Sequence, residues 1–369
     1  MRHKLLLSLA MLVLVALVGV LIFSDSSGFG QMDMMVENAA ASSFLPTREY
    51  HGVTYEGRPS SSLTTVLLIG YDHMDDGALV DDQEGFLKGG QSDFLLLLAI
   101  DHDQKTIRLL QFDRDTMTDV KFYSKFGANY GTRRQQICLS HAYGDTQELN
   151  NSNTIWAVEN FLGIAGEDDG AQIDFYISMD ITGIGRLNDL LGGVTVPIND
   201  DFSYYDPSMI MGTTMKLTGE QAHIYCRQRY FIGDQTNTNR MGRQRVYMDA
   251  ATQVLRNRVS ADPNYALELL NGMGVIFDTS IELDETFGFT TTDHEGTPVT
   301  DTPTHYLMTN RSLDAIVALL ARVMNYDIAP IENLPGTHRI GTSGYMEFIT
   351  EDNAGLEWAL DALYRPKDE

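Results

Sequence analysis

Asp72, Asp93 and Arg114 are charged residues that stand at the ends of three short apolar segments. If these segments are strands of a buried sheet, their ends form an open edge, and α/β proteins commonly bind ligands at such an edge. Charged residues also mark strand ends in proteins that bind nothing there. The three residues therefore form a candidate site only if the surrounding elements bring them together.

The three apolar segments predict strands that are covered on both faces, because almost every residue in them is apolar. They comprise residues 65–71, 94–100 and 106–112. A short polar turn separates the second from the third, which predicts a hairpin. If residue 101 pairs with about residue 105, Asp93 lies beside Asp113 and Arg114. Asp72 joins them if the first strand runs parallel to the third.

A second set of charged residues follows much later in the chain. Arg227 and Arg229 are two positions apart, so on a strand they share one face and Cys226 points to the core. Arginine suits phosphate ligands because its planar fork of donors matches phosphate oxygens. A solvated surface with ion pairs is the alternative interpretation.

A helix is predicted to begin near Asn239, after a segment rich in turn-forming residues. Arg240, Arg243 and Gln244 are three and four positions apart, so they occupy adjacent positions on one helix face. Free backbone N–H groups at a helix N-terminus, together with arginines, suit a phosphate or pyrophosphate ligand. An exposed, ion-paired helix face again remains open.

Composition sets limits on the function. The 369 residues include 26 Lys and Arg against 51 Asp and Glu, which gives a formal net charge of −25. Such acidity disfavours a protein that binds nucleic acid through a broad basic surface, but it permits a small positive pocket. Cys138 and Cys226 are the two cysteines. They exclude a disulfide framework and a cysteine-based zinc site, and they leave open one disulfide or two buried thiols.

The N-terminus predicts a membrane anchor. Arg2 and Lys4 precede an apolar run over residues 5–23, which is long enough to span a bilayer core at about 1.5 Å per residue. Because a positive flank stays in the cytoplasm, residues 1–4 are predicted to be cytoplasmic and the rest extracytoplasmic. A cleaved signal peptide is the alternative. Residues 24–60 are predicted to form an extracytoplasmic linker, and residues 61–369 are predicted to form the folded domain.

An ordered series of motifs resembles the LytR-CpsA-Psr family of Gram-positive cell-envelope proteins. The series includes LLIGYD (67–72), the pair Ser92-Asp93, FDRDTMTDV (112–120), LTGEQAHIYCRQRY (217–230) and GDQTNTNRMGRQR (233–245). The C-terminal region is similar to that of longer members from clostridia. The resemblance implies an α/β fold, namely a layered α-β-α catalytic domain with a central mixed β-sheet, here preceded by one transmembrane helix.

The resemblance also implies an activity, which is transfer of an anionic glycopolymer from undecaprenyl pyrophosphate to peptidoglycan with formation of a phosphodiester. The enzyme is then a single-pass cell-membrane protein with no nucleic-acid partner. Asp72 and Asp93 are expected to bind Mg²⁺ with the pyrophosphate. Asp115 or Asp93 is expected to accept a proton, and Asp115 alternatively locks an arginine in place. The expected pyrophosphate-binding residues are Arg114, Arg227, Arg229, Arg240, Arg243 and Gln244.

Two residues depart from the family pattern. Gln91 stands where many members have Arg, and Asp113 stands where many have Pro. The first change removes a phosphate-binding charge, and the second adds a negative charge near the pocket. Two alternative functions remain open, and Gln91 makes the second of them plausible. One is a polyprenyl-pyrophosphate hydrolase, and the other is a non-catalytic protein that binds lipid-linked polymer.

Overall fold

The computed structural model describes most of the chain from residue 47 onward. The described residues are 45, 47–72, 81–82, 85–86, 90–123, 129–144, 146–165, 173–262, 265–276, 291–292, 298–299, 306–323, 326–342 and 344–367. The predicted cytoplasmic residues 1–4 and the predicted anchor 5–23 lie outside them. Among the described residues, no helix has both the length and the apolar character needed to cross a bilayer.

Strands and helices are both abundant in the described part of the chain. The strands are β1 Thr47–Tyr50, β2 Val53–Gly57, β3 Leu63–Tyr71, β4 Asp81–Asp82, β5 Gly85–Phe86, β6 Ser92–Asp101, β7 Thr106–Phe112, β8 Met117–Tyr123, β9 Asn129–Gln136, β10 Phe175–Asp180, β11 Thr195–Pro197, β12 Thr214–Lys216, β13 Val275–Ile276, β14 Thr291–Thr292, β15 Pro298–Val299, β16 Leu307–Thr309, β17 Asp327–Glu332, β18 Gly336–Ile340, β19 Met346–Thr350 and β20 Tyr364–Pro366. The helices are α1 Gln147–Phe161, α2 Gly183–Leu190, α3 Gly219–Arg227, α4 Asn237–Ala261, α5 Tyr265–Met273, α6 Leu313–Val323 and α7 Ala354–Leu363, with a 3-10 helix at Ile137–His141.

The described residues divide into two compact units. The first contains those up to Tyr176 and those from Val323 onward, and the second contains those from Ile177 to Arg322. Both units combine helices with a mixed sheet, so the predicted α/β class with mixed strands is confirmed. In the first unit the sheet order is β3-β6-β7-β17. In the second it is β13-β16-β10.

The three apolar segments of the sequence form three adjacent strands of the first unit's sheet, β3, β6 and β7, and their strand character is as predicted. β6 lies antiparallel to both β3 and β7, so β3 runs in the same direction as β7. Side chains such as Leu67, Leu97 and Leu109 are fully buried, because both faces of these strands are covered. Asp101 pairs with Thr106, one residue beyond the predicted partner, and this register places position 93 opposite position 114.

One three-stranded sheet and three pairs of strands complete the described part of the first unit. β2 pairs with both β1 and β20, so part of the segment predicted as a linker is regular sheet. The pairs are β4 with β5, β8 with β9, and β18 with β19. The β18–β19 hairpin contacts the residues after β7, because Thr116 forms a parallel bridge with Phe348.

The second unit corrects one local prediction. Arg227 and Arg229 do not share the face of a strand, because α3 occupies Gly219–Arg227 and the chain becomes extended only at Gln228. The physical reason is a capping box in which Thr218 accepts from the Gln221 amide and Gln221 bonds back to the Thr218 backbone. Cys226 is nevertheless buried, as expected. The predicted helix near Asn239 is confirmed as α4.

Candidate functional site

Arg114 is the centre of a polar cluster in the first unit. It follows β7 directly, so the antiparallel register with β6 brings it to Asp93, and one guanidinium nitrogen donates to that carboxylate. The other terminal nitrogen donates to Gln91 Oε1 and lies 3.4 Å from Cys138 Sγ. Both side chains of the Arg114–Asp93 pair are largely buried, with 12% and 5% exposure. The predicted meeting of Asp93 and Arg114 is therefore confirmed.

The Arg114 side chain is a cation, and not all of its N–H donors form hydrogen bonds with described residues. Burial alone would lower its pKa, but the neighbouring Cys138 and the carboxylates of Asp93 and Asp115 together raise it. A guanidinium has five N–H donors, and three hydrogen bonds from its terminal nitrogens are present. Its Nε is buried without a hydrogen-bond partner among the described residues. A fixed, charged fork with remaining donors suits an anionic ligand such as a phosphate.

Asp72 is brought to the same edge of the sheet by its contacts with Gln91. The Asp72 amide donates to the Gln91 carbonyl oxygen at 3.0 Å, and the Gln91 amide donates to Asp72 Oδ1 at 2.6 Å. Gly90 makes this close approach possible, since its φ is +71° and a Cβ there would lie 1.5 Å from the Asp72 carbonyl oxygen. Gln91 therefore contacts both Asp72 and Arg114.

The donor chemistry of Asp72 and Asp93 fits the Mg²⁺ that the family resemblance implies. Both are carboxylates at neighbouring strand ends, since Tyr71 pairs with Ser92 across a local irregularity. Mg²⁺ prefers oxygen ligands and is commonly held by one or two carboxylates with phosphate oxygens and waters. Two protein carboxylates are sufficient for a site of this kind.

Asp115 is fixed from several directions and is 1% exposed. Its Oδ1 accepts from Gln136 Nε2 at 2.7 Å and lies 3.6 Å from Arg114 Nε. Its carbonyl oxygen accepts from the Phe348 amide at 2.7 Å. These contacts favour the second of the two expected roles, in which Asp115 holds Arg114 in place.

Cys138 supports the site without being a reactive thiol. Burial raises its pKa to about 11, although Arg114 opposes that shift. The thiol is therefore neutral at physiological pH and serves as a packing and hydrogen-bonding neighbour. Cys138 and Cys226 are both free and buried, so the alternative of two buried thiols is the one observed.

In the second unit, the Arg243 side chain forms hydrogen bonds and an ion pair with neighbouring residues. Its Nε donates to the Tyr225 carbonyl oxygen at 3.0 Å, and one terminal nitrogen donates to the Gln228 carbonyl oxygen. The other terminal nitrogen donates to Asn239 Oδ1 at 2.7 Å and lies 3.2 Å from Asp200 Oδ2. These contacts join the end of α3 to the start of α4, and they favour a positioning role over the predicted contact with pyrophosphate.

The other predicted phosphate-binding residues of the second unit lie at the same helix ends. Gln244 Nε2 donates to the Cys226 carbonyl oxygen at 3.2 Å, and Arg240 donates to Asn237 Oδ1 at 2.7 Å. Arg227 is the last residue of α3. Arg229 lies beside Tyr230, with its guanidinium 5.0 Å from the ring centre. The structure thus gathers all of them around the α3–α4 junction.

Sequence reasoning missed the residues that surround Arg114 and Asp115. Gln136 donates to both Asp115 and the Met346 carbonyl oxygen, and His338 Nε2 lies 3.0 Å from Asp113 Oδ2. His338 is 225 residues away from Asp113 in sequence, and no local pattern marks such a pairing. The sequence analysis identified Asp113 only as an added negative charge, whereas in the structure it has His338 as a specific partner.

Comparison with known proteins identifies curated relatives. The chain is 29% identical over 205 residues to the polyisoprenyl-teichoic acid–peptidoglycan teichoic acid transferase TagU of Halalkalibacterium halodurans, covering 56% of this chain and 60% of that protein. It is 28% identical over 221 residues to the protein of the same name from Enterococcus faecalis, covering 60% and 62%. The chain thus matches about three fifths of the length of these relatives.

Solved structures share the fold. Protein gbs0355 from Streptococcus agalactiae superposes with a TM-score of 0.54 at 16% identity, covering 81% of this chain and 88% of that one. TagT bound to LI-WTA superposes with a TM-score of 0.50 at 17% identity, covering 87% and 96%. At these identities the likeness establishes the fold alone.

The family is established by a sequence model. The model of the LytR_cpsA_psr family matches residues 36–295, which is more than half of the chain. The match includes the cluster around Arg114 and the junction of α3 with α4. This protein therefore belongs to the LytR-CpsA-Psr family.

Proposed function

We propose that this protein transfers an anionic glycopolymer from a polyprenyl pyrophosphate carrier to peptidoglycan, with formation of a phosphodiester bond. Family membership supports the proposal, and so do the relatives, which are named as teichoic acid–peptidoglycan transferases. The observation that carries it is the buried Arg114, fixed between Asp93 and Gln91 at the edge where Asp72 also lies.

In the proposed reaction, a hydroxyl oxygen of peptidoglycan attacks the phosphorus nearest the polymer. A new P–O bond forms, the P–O bond to polyprenyl phosphate breaks, and the hydroxyl proton leaves to a carboxylate or to water. Phosphoryl transfer depends mainly on positioning and on stabilisation of charge. Arg114 supplies both, because its guanidinium is immobilised before the ligand arrives and its charge need not reorganise.

Asp72 and Asp93 are the residues that would hold Mg²⁺, and a bound Mg²⁺ would neutralise pyrophosphate charge. Asp93 also orients Arg114 through their ion pair. Arg227, Arg229, Arg240 and Gln244 of the second unit remain predicted pyrophosphate ligands. The proposal further includes the single-pass anchor at residues 5–23, which places the folded part of the chain outside the cell with its peptidoglycan acceptor.

The proposal is tested with the full-length protein in detergent micelles. A synthetic polyprenyl-pyrophosphate glycan is incubated with and without peptidoglycan oligomers, with and without Mg²⁺, and products are identified by mass spectrometry. We expect a glycan–peptidoglycan phosphodiester together with polyprenyl phosphate, formed only when acceptor and Mg²⁺ are both present. Release of polyprenyl phosphate at the same rate without acceptor would instead establish the hydrolase. Donor binding with no product would establish a binding protein.

A further inference from the structure

Asp113, Asp115 and His338 form a cluster of metal-ligating side chains in the first unit. One ligand atom from each residue lies within 4.8 Å of the other two. Asp113 and Asp115 come from the segment after β7, whereas His338 comes from β18 in the C-terminal hairpin. This donor set of two carboxylates and one imidazole differs from that of the proposed Mg²⁺ site, in which Asp72 and Asp93 are both carboxylates.

The separation of the ligand atoms suits a shared ion. His338 Nε2 and Asp113 Oδ2 are 3.0 Å apart. Two atoms that each lie about 2.1 Å from one metal ion are about 3.0–3.4 Å apart when their angle at the metal is between square and tetrahedral. With an Asp115 carboxylate oxygen also within 4.8 Å of both atoms, the cluster offers three protein ligands, which is the usual number in metal sites that keep one position open.

Burial of the two carboxylates also favours a cation at this cluster. Asp113 and Asp115 are at most 8% exposed, and a buried carboxylate is costly unless its charge is compensated. A divalent ion held by both carboxylates and His338 would compensate that charge, and the His338–Asp113 ion pair is the competing explanation.

The surroundings resemble those of a metal site. Gln136 donates to Asp115 at 2.7 Å and the Asp115 amide donates to Asp113 Oδ1 at 2.9 Å, so both carboxylates are oriented by outer hydrogen bonds, as metal ligands commonly are. The His338 side chain is 30% exposed, which gives an ion a path from solvent. An imidazole ligand favours zinc or manganese over magnesium.

From this donor set, we propose that Asp113, Asp115 and His338 bind a divalent transition-metal ion, such as Zn²⁺ or Mn²⁺, which ties the β18–β19 hairpin to the segment that carries Arg114. The site lies beyond the proposed transfer activity.

The test is metal binding by the full-length, tag-free protein without donor or acceptor, so its result does not depend on the transfer activity. The chain is freed of metal with a chelator and titrated with Zn²⁺, Mn²⁺ or Mg²⁺ by calorimetry, with bound metal counted by mass spectrometry. His338→Gln and Asp113→Asn remove ligands, and the Asn retains an oxygen for the Asp115 amide. His51→Gln is the matched control, because His51 is exposed at the β1–β2 turn.

We expect the wild type and His51→Gln to bind one Zn²⁺ or Mn²⁺ per chain more tightly than Mg²⁺. Each ligand variant should bind at least about 100-fold more weakly, since loss of an outer-shell partner alone costs about 10–100-fold. Zn²⁺ should also raise the Tm of the wild type and not that of His338→Gln. Equal Zn²⁺ affinity in wild type and both ligand variants, or no binding by the wild type, would overturn the proposal in favour of a His338–Asp113 ion pair.

Discussion

At the scale of single residues, the candidate site depends on how Arg114 is held rather than on its presence alone. Asp93 and Gln91 accept from its two terminal nitrogens, and Asp115 lies beside its Nε. An arginine at position 91, as in many family members, would place a second positive charge against Arg114. In this chain the Gln91 side-chain oxygen instead accepts a hydrogen bond from Arg114 and orients the guanidinium. Gln91 therefore provides a hydrogen-bond acceptor where an arginine would provide a positive charge.

Asp115 is expected to act by positioning Arg114. Asp115→Asn retains an oxygen that can accept from Gln136, so the segment should keep its conformation. We expect turnover to fall by less than about 10-fold, with the pH dependence of kcat unchanged, because general-base catalysis typically contributes about 10²–10⁴-fold. A pH–rate profile of the variant beside the wild type measures this. A drop of 100-fold or more with loss of the profile's acidic limb would identify Asp115 as the base.

Cys138 is expected to make the protein less stable in alkali. Burial raises the pKa of this thiol to about 11 from an ordinary value near 9. The folded state therefore keeps the proton to a higher pH than the unfolded state does. The contribution of the protonated Cys138 thiol to the free energy of unfolding is therefore complete below pH 9. It is lost as the pH rises from about 9 to about 11.

Urea denaturation at pH 8, 9.5 and 10.5 tests this expectation. The free energy of unfolding should fall by about 2 kcal/mol less in Cys138→Ser than in the wild type over this range. Other buried ionisable groups, including Cys226 and Tyr247, remain in both proteins and cancel in the comparison. Identical pH dependence in the two proteins would contradict the assignment.

At the scale of elements, the predictable parts are those set by local sequence. The strands β3, β6 and β7 follow from uninterrupted apolar runs, and their register follows from the short turn between Asp101 and Thr106 to within one residue. The prediction of a strand at Arg227 is wrong. The two-residue spacing of Arg227 and Arg229 suits a strand, but the capping box at Thr218 starts a helix that extends to Arg227. The contacts between β18–β19 and the segment after β7 are long-range and leave no local signal.

Arg243 is expected to stabilise the junction of α3 with α4. Arg243→Gln removes donors from the carbonyl oxygens of Tyr225 and Gln228, and leaves Asp200 without this ion pair. We expect the free energy of unfolding to fall by about 3 kcal/mol. Arg229→Gln is the comparison, because it should lose less than about 1 kcal/mol while weakening donor binding.

Chemical denaturation and donor binding, measured on both variants, separate the two roles. If Arg243→Gln is as stable as the wild type and binds donor weakly, Arg243 is a ligand residue after all, as the sequence first predicted. If Arg229→Gln loses as much stability as Arg243→Gln, the distinction drawn between the two arginines is wrong.

At the scale of the whole molecule, acidity and the arginine clusters have to be considered together. A net charge of −25 argues against broad binding of polyanions, so the proposed recognition of an anionic polymer requires a local positive site. The fold and family confirm the α/β class expected from the sequence. The partners of Arg114 could be predicted only in part, since Asp93 follows from strand register, whereas Cys138 lies on a separate 3-10 helix.

The most direct measurement of the central claim is the rate of phosphodiester formation by Arg114→Lys. Lysine keeps the charge but cannot contact Asp93 and Gln91 while presenting a planar fork to phosphate. Arg339→Lys is the matched control, because Arg339 forms an exposed ion pair with Glu347 on the same unit. With full-length protein, donor, acceptor and Mg²⁺, we predict a loss of at least about 100-fold for Arg114→Lys and wild-type rates for Arg339→Lys. Wild-type rates in a folded Arg114→Lys enzyme would contradict the assignment of Arg114 as the centre of the site.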